Sequence, residues 1–429
     1  MIFWSEGSPH AEIGPEQARE GLFAALERLG PRKRVLLVPP DGTRAQSGAG
    51  PLTEAAWEYY GRAVADVLPA LGTHTPMTGA EIAAMFGRVP ARLFRIHDWR
   101  GGVRELGAVP GEFVAETSGG RLGYDIPIEV DRLVADGGHD LILSIGQVVP
   151  HEVAGMAGHA KNIFVGTGGP GVINRTHFLG AVYGMERIMG RAETPVRAVL
   201  RYAAEELAAG LPIVYVLTVV GREEDGRLVM RGLFIGDDEE CFRRAAALSV
   251  ETNVELLDEP LGKVVVFLDP AEYRTTWLGD KSIYRTRMAV ADGGELVVLA
   301  PGVERFGEDP GIDALIRKYG YAGTPRILEL SEREADLRES LCAAAHLIHG
   351  STEGRFTVTY CPGRMRREEV ERAGYRFGDL AAMTARYDPA KLAAGPNVMP
   401  DGERIFFVPN PGLGLWAARE RFGGAKERP

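Results

Sequence analysis

The chain has 429 residues, of which 45% are hydrophobic and 25% charged, so it can bury a sizeable core and form two or three domains. Its net charge of -10 argues against broad nucleic-acid binding, which needs a surplus of Lys and Arg, but leaves room for a local basic pocket. The three scattered cysteines form no CxxC or Cys/His cluster, which predicts neither a disulfide framework nor structural zinc. We find no signal-peptide pattern and no apolar run of ~18 residues, and therefore expect a cytoplasmic protein that does not enter a membrane.

Apolar, β-branched runs alternate along the chain with stretches of helical period, which is typical of an α/β fold. The predicted strands are 34–38, 140–145, 162–166, 212–220, 263–268, 295–300, 355–360 and 404–409. The predicted helices are 54–69, 79–87, 176–189, 197–209, 238–250, 310–319 and 331–349. An acidic, turn-rich stretch at 251–262 and a Gly/Pro/Asn-rich one at 395–402 suggest boundaries. We predict an N-terminal cofactor-binding domain, 1–255, joined by the tail 400–429, and a substrate-clamping domain, 256–399.

The first polar loop, PPDGTR at 39–44, follows the predicted strand RVLLV. Loops at the carboxyl ends of strands in open α/β sheets are where ligands bind. Asp41 could accept hydrogen bonds from ribose hydroxyls, and Arg44 could pair with a carboxylate or phosphate. An ordinary turn is the alternative, since Pro, Asp and Gly all form turns.

The second loop, LGTHTPMT at 71–78, carries His74 just before a predicted helix. Thr78 and Glu81 form the T-x-x-E pattern of a capping box, which fixes the start of helix 79–87. A lone loop histidine is often a bystander, but functional residues concentrate on loops.

The third stretch, 148–180, is the richest in chemistry. It contains His151, His159, Lys161 and His177, together with the glycine-rich turn GTGGPG at 166–171. Exposed N–H groups in such a turn, leading into a helix, would suit a phosphate. The turn lacks the G-K-[ST] of a P-loop, and a bare GxGxxG is weak evidence for a dinucleotide. His151 and His177 are 26 positions apart, so a metal bound by either would need other ligands.

The fourth stretch, 275–288, is locally basic and aromatic in an acidic protein. It contains Trp277, Lys281, Arg285 and Arg287. Lys281 follows Gly-Asp at a predicted loop-to-helix junction, where it could bind an anion. A solvated helix face is the alternative for the two arginines.

The motifs D-x-T-R, G-T-H-x-P and P-H-x(3)-G-x(2)-G-x-x-K, followed by a downstream His, occur here in that order. They are Asp41–Arg44, Gly72–Pro76, Pro150–Lys161 and His177. This combination resembles lactate racemase and its 2-hydroxyacid racemase and epimerase homologues.

The resemblance implies a covalently held cofactor, a pyridinium mononucleotide whose two sulfur-bearing arms hold nickel. Lys161 would carry it through a thioamide, and His177 would be the fourth nickel ligand. Asp41, Thr43, Gly168 and Gly169 would hold its ribose and phosphate. Proteins that synthesise the cofactor are expected partners, and a small 2-hydroxy acid is the expected substrate.

The sequence also departs from the family pattern. Gly42 and Ala45 replace the His and Pro of the family loop D-H-T-R-P, and Trp277-Leu278 replace the Tyr-Gln of lactate racemase. The second departure puts lactate itself in doubt more than the chemistry.

The predicted reaction is inversion of C2 by reversible hydride transfer, because a C2–H beside a carboxylate is too weak an acid for direct proton removal. The hydride acceptor would be the cofactor. His74 and His151 would exchange the hydroxyl proton, one for each enantiomer. Arg44 and Lys281 would bind the substrate carboxylate, with Trp277 beside them, in a cleft between the two domains.

Three alternatives remain at this stage. The same cofactor could serve C2 epimerisation of a longer sugar acid, which would suit the segment 277–287. A non-catalytic nucleotide- or anion-binding protein would explain the glycine-rich turn but not the His/Lys/His set. An NAD-dependent dehydrogenase is disfavoured by the missing acidic residue after the glycines. The roles of His97 and His159 stay open, and a structural role is expected for His346 and His349.

Overall fold

The computed structural model describes residues 1–223 and 226–423, and these divide into two compact units. The first unit is Met1–Leu179 with Ile188–Asn253. The second is Gly180–Arg187 with the residues from Val254 onward. Each contains a six-stranded sheet with helices between its strands, so the chain has the predicted α/β fold class. Among the described residues, no helix is both long and apolar enough to cross a membrane.

The strands up to Asn253 are β1 (Ile2–Gly7), β2 (Val35–Val38), β3 (Val64–Val67), β4 (Val103–Val109), β5 (Ile126–Asp131), β6 (Leu141–Gln147), β7 (Pro150–His151), β8 (Gly155–Met156), β9 (Ile213–Arg222) and β10 (Leu228–Gly236). The helices are α1 (Pro15–Leu29), α2 (Ala49–Tyr60), α3 (Gly79–Phe86), α4 (Gly111–Ser118), α5 (Arg132–Asp136), α6 (Ala160–Phe164), α7 (Pro170–Tyr183), α8 (Met185–Ile188), α9 (Pro195–Tyr202) and α10 (Glu239–Asn253).

The first sheet has the strand order β1-β10-β9-β6-β2-β3. Strands β9, β6, β2 and β3 are parallel, so their carboxyl ends lie at one edge. Strand β2 is buried on both faces: Leu36 and Val38 belong to one hydrophobic cluster, and Val35 and Leu37 to the other. This explains its continuous apolar sequence, which is typical of a covered parallel strand.

Two sequence predictions in this unit were wrong. The predicted strand 162–166 is the helix α6 and the turn after it. A short apolar run does not distinguish a strand from a buried helix, and here Asn162 ties the helix to the sheet through its side chain, which donates to Val38 O at 3.0 Å. The predicted helix 54–69 ends at Tyr60, because Gly61 has a positive φ of 53° and the chain turns there into β3.

The strands from Val254 onward are β11 (Val254–Leu257), β12 (Leu261–Phe267), β13 (Val290–Ala300), β14 (Thr357–Pro362), β15 (Arg376–Phe377), β16 (Gly395–Val398), β17 (Arg404–Val408) and β18 (Leu415–Ala418). The helices are α11 (Thr276–Gly279), α12 (Lys281–Thr286), α13 (Pro310–Tyr319), α14 (Thr324–Arg333), α15 (Ala335–Glu339), α16 (Leu341–His349), α17 (Arg367–Arg372), α18 (Leu380–Arg386) and α19 (Arg419–Gly423).

The C-terminal tail differs from its prediction. The second sheet has the order β15-β14-β13-β12-β17-β16, and β17 pairs in parallel with β12. Residues 400–423 therefore belong to the second unit. We had predicted that they join the first domain. The physical reason is burial, since Phe406, Phe407 and Val408 are almost fully covered in this sheet.

Candidate active site at the carboxyl edge of the first sheet

Three of the predicted loops meet at the carboxyl edge of the parallel strands. Asp41 follows β2, His74 follows β3, and His151 follows β6. The backbone of β3 stays close to that of β2 beyond the strand ends, with Ala70 N donating to Pro39 O at 2.8 Å. This proximity brings His74 Nδ1 to 2.7 Å from Asp41 Oδ2.

Asp41 is buried and anchored by its own loop. Its Oδ1 accepts hydrogen bonds from the backbone N–H and the hydroxyl of Thr43, at 3.2 and 2.5 Å, and so caps the short 3-10 turn that follows. Burial would raise the pKa of Asp41, but His74, Thr43 and Arg44 outweigh it and hold that pKa below its ordinary value. The carboxylate is therefore ionised and accepts from His74 Nδ1–H, which leaves the lone pair of His74 on Nε2.

Lys161 is placed by its neighbour in α6. The Asn162 amide donates to Val38 O and to Ser144 Oγ, at 3.0 and 3.1 Å, which fixes the helix against the ends of β2 and β6. Burial and the nearby Arg44 guanidinium lower the pKa of Lys161 to about 8, against the opposing effect of Glu152. Within the described residues, the Lys161 amine makes no hydrogen bond or ion pair. It is thus an amine with a substantial uncharged fraction near neutral pH.

His177 lies on α7 and has a defined tautomer. Its Nδ1 donates to Ile173 O at 2.7 Å, so Nε2 carries the lone pair. Burial, and then the charge of Lys161, lower the pKa of His177 to about 4. Glu152 and His74 also act on its pKa, which shows that all four side chains share one region of the first unit. At neutral pH His177 is an uncharged imidazole, the form that binds a metal ion.

His151 sits in a small hairpin formed by β7 and β8. Its Nδ1 accepts the backbone N–H of Val153 at 3.1 Å, so its proton is on Nε2, which lies 3.9 Å from Glu152 Oε1. The buried Arg197 supports the chain between this hairpin and α6, donating to Ala157 O and Gly158 O at 3.0 and 3.1 Å.

The glycine-rich turn does not have the free N–H groups that we predicted for a phosphate. Glu129 occupies the N-terminus of α7, where its carboxylate accepts the N–H of Gly171 at 2.7 Å. The N–H of Gly168 donates to Val165 O, and that of Gly169 to Glu129 O. A phosphate at this turn would meet a carboxylate, so the prediction for Gly168 and Gly169 is not supported.

His97 and His159, whose roles the sequence left open, are buried in the protein. His97 lies between Asp131 Oδ2 at 2.8 Å and Gly168 O at 3.0 Å, and so joins β5 to the glycine-rich turn. His159 adopts a positive φ of 54° and packs against Tyr215 in a tilted ring contact, with centroids 3.8 Å apart. Burial lowers the pKa of His159 to about 3, so it is uncharged. Both have structural roles here.

The predicted substrate-binding residues Trp277 and Lys281 lie in the second unit, on α11 and at the start of α12. Both are half-buried. Arg285 and Arg287 of the same segment are buried, so they do not form the solvated helix face considered as an alternative. The role of Trp277 and Lys281 at a cleft stays a prediction.

Sequence reasoning missed two acidic residues of the first unit. Glu152 acts electrostatically on both Lys161 and His177. Its only signal in the sequence is its position beside His151. Glu129 is 42 residues before its partner Gly171, and no spacing rule connects them. The part of the chain that the structure describes has no cluster of three or more His, Cys, Asp or Glu side chains placed to bind a metal.

The candidate site residues of the first unit lie in a segment that matches a known domain family. Residues 24–188 match the family model of the lactate racemase N-terminal domain. Over 95% of this chain and 98% of the other, the structure is similar to a structural-genomics crystal structure of a Thermotoga maritima protein, with 25% sequence identity and a TM-score of 0.81. It is also similar to the lactate racemase apoprotein from Thermoanaerobacterium thermosaccharolyticum, with 15% identity over 96% and 94% of the two chains and a TM-score of 0.70. Comparison with curated protein sequences gave no match.

Proposed function

We propose, because residues 24–188 match the family model of the lactate racemase N-terminal domain, that the chain is an isomerase inverting C2 of a 2-hydroxy acid. The observation that carries this proposal is the convergence of Asp41, His74, Lys161 and His177. Asp41 and His74 are hydrogen-bonded to each other. The charge of Lys161 acts on His177, and the charges of Asp41 and His74 act on Lys161 and His177 respectively.

The donor set fits a nickel-pincer nucleotide attached through Lys161. A lysine whose pKa is about 8 can act as the nucleophile that forms such a linkage, and His177 offers one neutral imidazole nitrogen. A metal held by one protein ligand needs its other donors from the cofactor, which agrees with the lack of a three-residue metal cluster among the described residues. When bound, the group supplies the hydride acceptor that the reaction needs.

His74 and His151 would exchange the substrate hydroxyl proton, one acting as a neutral base and the other as an imidazolium acid. With Nδ1–H directed at Asp41, His74 presents a lone pair on Nε2 and can take the hydroxyl proton. With Nδ1 accepting from Val153, His151 directs Nε2–H at the substrate region, and it would return a proton as an imidazolium, which requires Nδ1 to take up a proton and release the Val153 N–H. The two exchange roles when the opposite enantiomer reacts. Asp41 stabilises the imidazolium that forms on His74.

Arg44 and Lys281 would hold the substrate carboxylate. Arg44 lies close enough to Asp41 and Lys161 to affect both of their pKa values, so it faces the same region as the proton-transfer pair. A planar guanidinium can bind a carboxylate through two parallel hydrogen bonds. Lys281 and Trp277 are the other residues that we propose for substrate binding.

The proposal is tested on protein purified from cells that make the cofactor, by intact mass and nickel content. Lys161→Ala should lose the mass adduct, and His177→Ala should lose nickel. His74→Ala and His151→Ala should keep the adduct but lose turnover. His10→Ala, at an exposed position, is the control and should behave as the unmodified chain. A Lys161→Ala protein with full adduct and nickel would rule the proposal out.

The substrate is tested separately, because Leu278 stands where lactate racemase has Gln. Inversion of configuration at C2 should be followed by chiral chromatography for lactate, malate, phenyllactate and aldonates. Inversion of aldonates alone would identify an epimerase of longer sugar acids with the same chemistry.

A further inference from the structure

The segment that contains Trp277 and Lys281 lies on a buried polar network in the second unit. Of residues 275–281, only Trp277, Leu278 and Lys281 are half-buried; the other four are fully buried. The segment thus presents one partly open face, and its opposite side packs into the unit.

The Trp277 ring packs against the ring of His346 in α16. The two rings have centroids 4.5 Å apart and an interplanar angle of 33°. This contact fixes the tilt of the indole, because aromatic pairs hold a preferred offset geometry.

Two tyrosine hydroxyls hold the His346 ring in one orientation. Tyr284 OH lies 2.7 Å from Nδ1, and Tyr321 OH lies 3.0 Å from Nε2. Tyr321 OH is also 2.9 Å from Oγ1 of Thr276, the residue before Trp277. These contacts therefore link His346 to both Trp277 and Thr276, which are neighbours in α11.

Asp280, the residue before Lys281, also belongs to this network. It is fully buried, its Oδ2 accepts from Tyr375 OH at 3.0 Å, and it lies 3.6 Å from His346 Nε2. Tyr375 stacks on Tyr321 with centroids 4.5 Å apart and nearly parallel planes. There is no spare volume: a Cβ at Gly350 would lie 2.8 Å from Asp280 Oδ2.

We propose that His346 and Asp280 are positioning residues of the substrate site, which hold Trp277 and Lys281 in the orientation that binds the 2-hydroxy acid. The inference rests on the proposed function. Its physical basis is that buried side chains joined by hydrogen bonds and ring packing have few alternative arrangements, so they fix the geometry of Trp277 and Lys281.

The test uses His346→Phe, which keeps an aromatic ring under Trp277 but loses both tyrosine hydrogen bonds. His346→Gln keeps hydrogen-bonding capacity without the ring. Tyr319→Phe, outside the network in the same unit, is the control. Trp277→Phe gives the reference that isolates the Trp277 fluorescence from that of the other four tryptophans.

For His346→Phe we expect a KM for the active 2-hydroxy acid about tenfold higher, with a much smaller change in kcat, because ground-state positioning of the carboxylate is lost. The Trp277 emission should change, and His346→Gln should restore part of the KM. Asp280→Asn, which keeps the size of the side chain, should raise KM in the same direction. It takes the place of His346→Phe if that protein does not fold.

Unchanged KM and unchanged Trp277 emission in a folded His346→Phe or Asp280→Asn protein would overturn the inference. If the unmodified holoenzyme turns over no 2-hydroxy acid, the proposed function fails. The two failures are distinguishable, because Trp277 emission needs no turnover and still reports whether His346 fixes the indole.

Discussion

At the scale of single residues, the pairing of Asp41 with His74 decides which imidazole nitrogen would be available to the proposed substrate. The buried carboxylate accepts from His74 Nδ1 at 2.7 Å, and its pKa is held below its ordinary value by His74, Thr43 and Arg44. A neutral amide in its place would accept less strongly and would not stabilise the imidazolium.

We therefore predict that Asp41→Asn lowers kcat by about 100-fold or more while the cofactor adduct remains. The measurement is steady-state racemisation in both directions, with intact mass on the same samples. Asp140→Asn is the control, because Asp140 accepts backbone N–H groups of Lys33 and Arg34 at the other end of β6. An Asp41→Asn enzyme with unchanged kcat would show that His74 does not depend on this carboxylate.

At the scale of elements, the start of α7 is set by close packing between Glu129 and the glycine-rich turn. A Cβ at Gly169 would lie 2.5 Å from Glu129 Oε2, and the same carboxylate accepts from Gly171 N–H. The glycines are thus needed for space and for capping of the helix.

Gly169→Ala should lower the free energy of unfolding by about 1–3 kcal/mol, the usual cost of overpacking. Gly79→Ala is the matched control at the first residue of a helix, since a Cβ there meets nothing within 4 Å. Urea unfolding of both variants gives the comparison. Equal stability of the two would mean that Glu129 moves aside without cost.

The sequence predicted the elements whose signal is local. The capping box of Thr78 and Glu81 is present as predicted, and Asp41, His74, Lys161 and His177 were all proposed from motif spacing and the family resemblance. It did not predict α6, because a short buried helix and a short buried strand have the same apolar composition. Glu129 was missed because its partner is distant in the chain, and a long-range contact leaves no periodic signal.

At the scale of the whole molecule, the buried Asp280 couples stability to pH. Burial raises its pKa to about 8, although hydrogen bonds from Tyr321 and Tyr375 act in the opposite direction. His346 Nε2 also lies near Asp280, at 3.6 Å from its Oδ2. Between about pH 4 and pH 8 the folded protein holds a proton on Asp280 that the unfolded chain releases, so the folded state binds more protons.

The free energy of unfolding should therefore fall as the pH rises through this window, by up to about 1.4 kcal/mol per pH unit from this group. Asp280→Asn cannot titrate and should lack that part of the slope. Its stability relative to the unmodified chain should improve from pH 5 to pH 8, as measured by urea unfolding at each pH. Parallel pH profiles of the two proteins would show that Asp280 ionises normally.

The domain assignment of the tail also belongs to this scale. The composition of residues 395–402 suggested that the chain returns there to the first domain. The assignment of the tail is set by the pairing of β17 with β12, which composition does not report. Phe407 of β17 packs in a hydrophobic cluster with Val265, Val297 and Leu299, all of the second unit.

Phe407→Ala should cost about 3–5 kcal/mol of stability in the second unit, because it leaves a cavity in the hydrophobic cluster on one face of this sheet. Hydrogen exchange followed by mass spectrometry should then show faster exchange in β12, β13 and β14, while β2 and β6 of the first sheet keep their protection. Val398→Ala is the control, since Val398 is 71% exposed on the neighbouring strand β16. Loss of protection in β2 and β6, with β12 unchanged, would show that the tail packs in the first unit. The comparison works because the two sheets share no strand, so each set of amides reports on its own core.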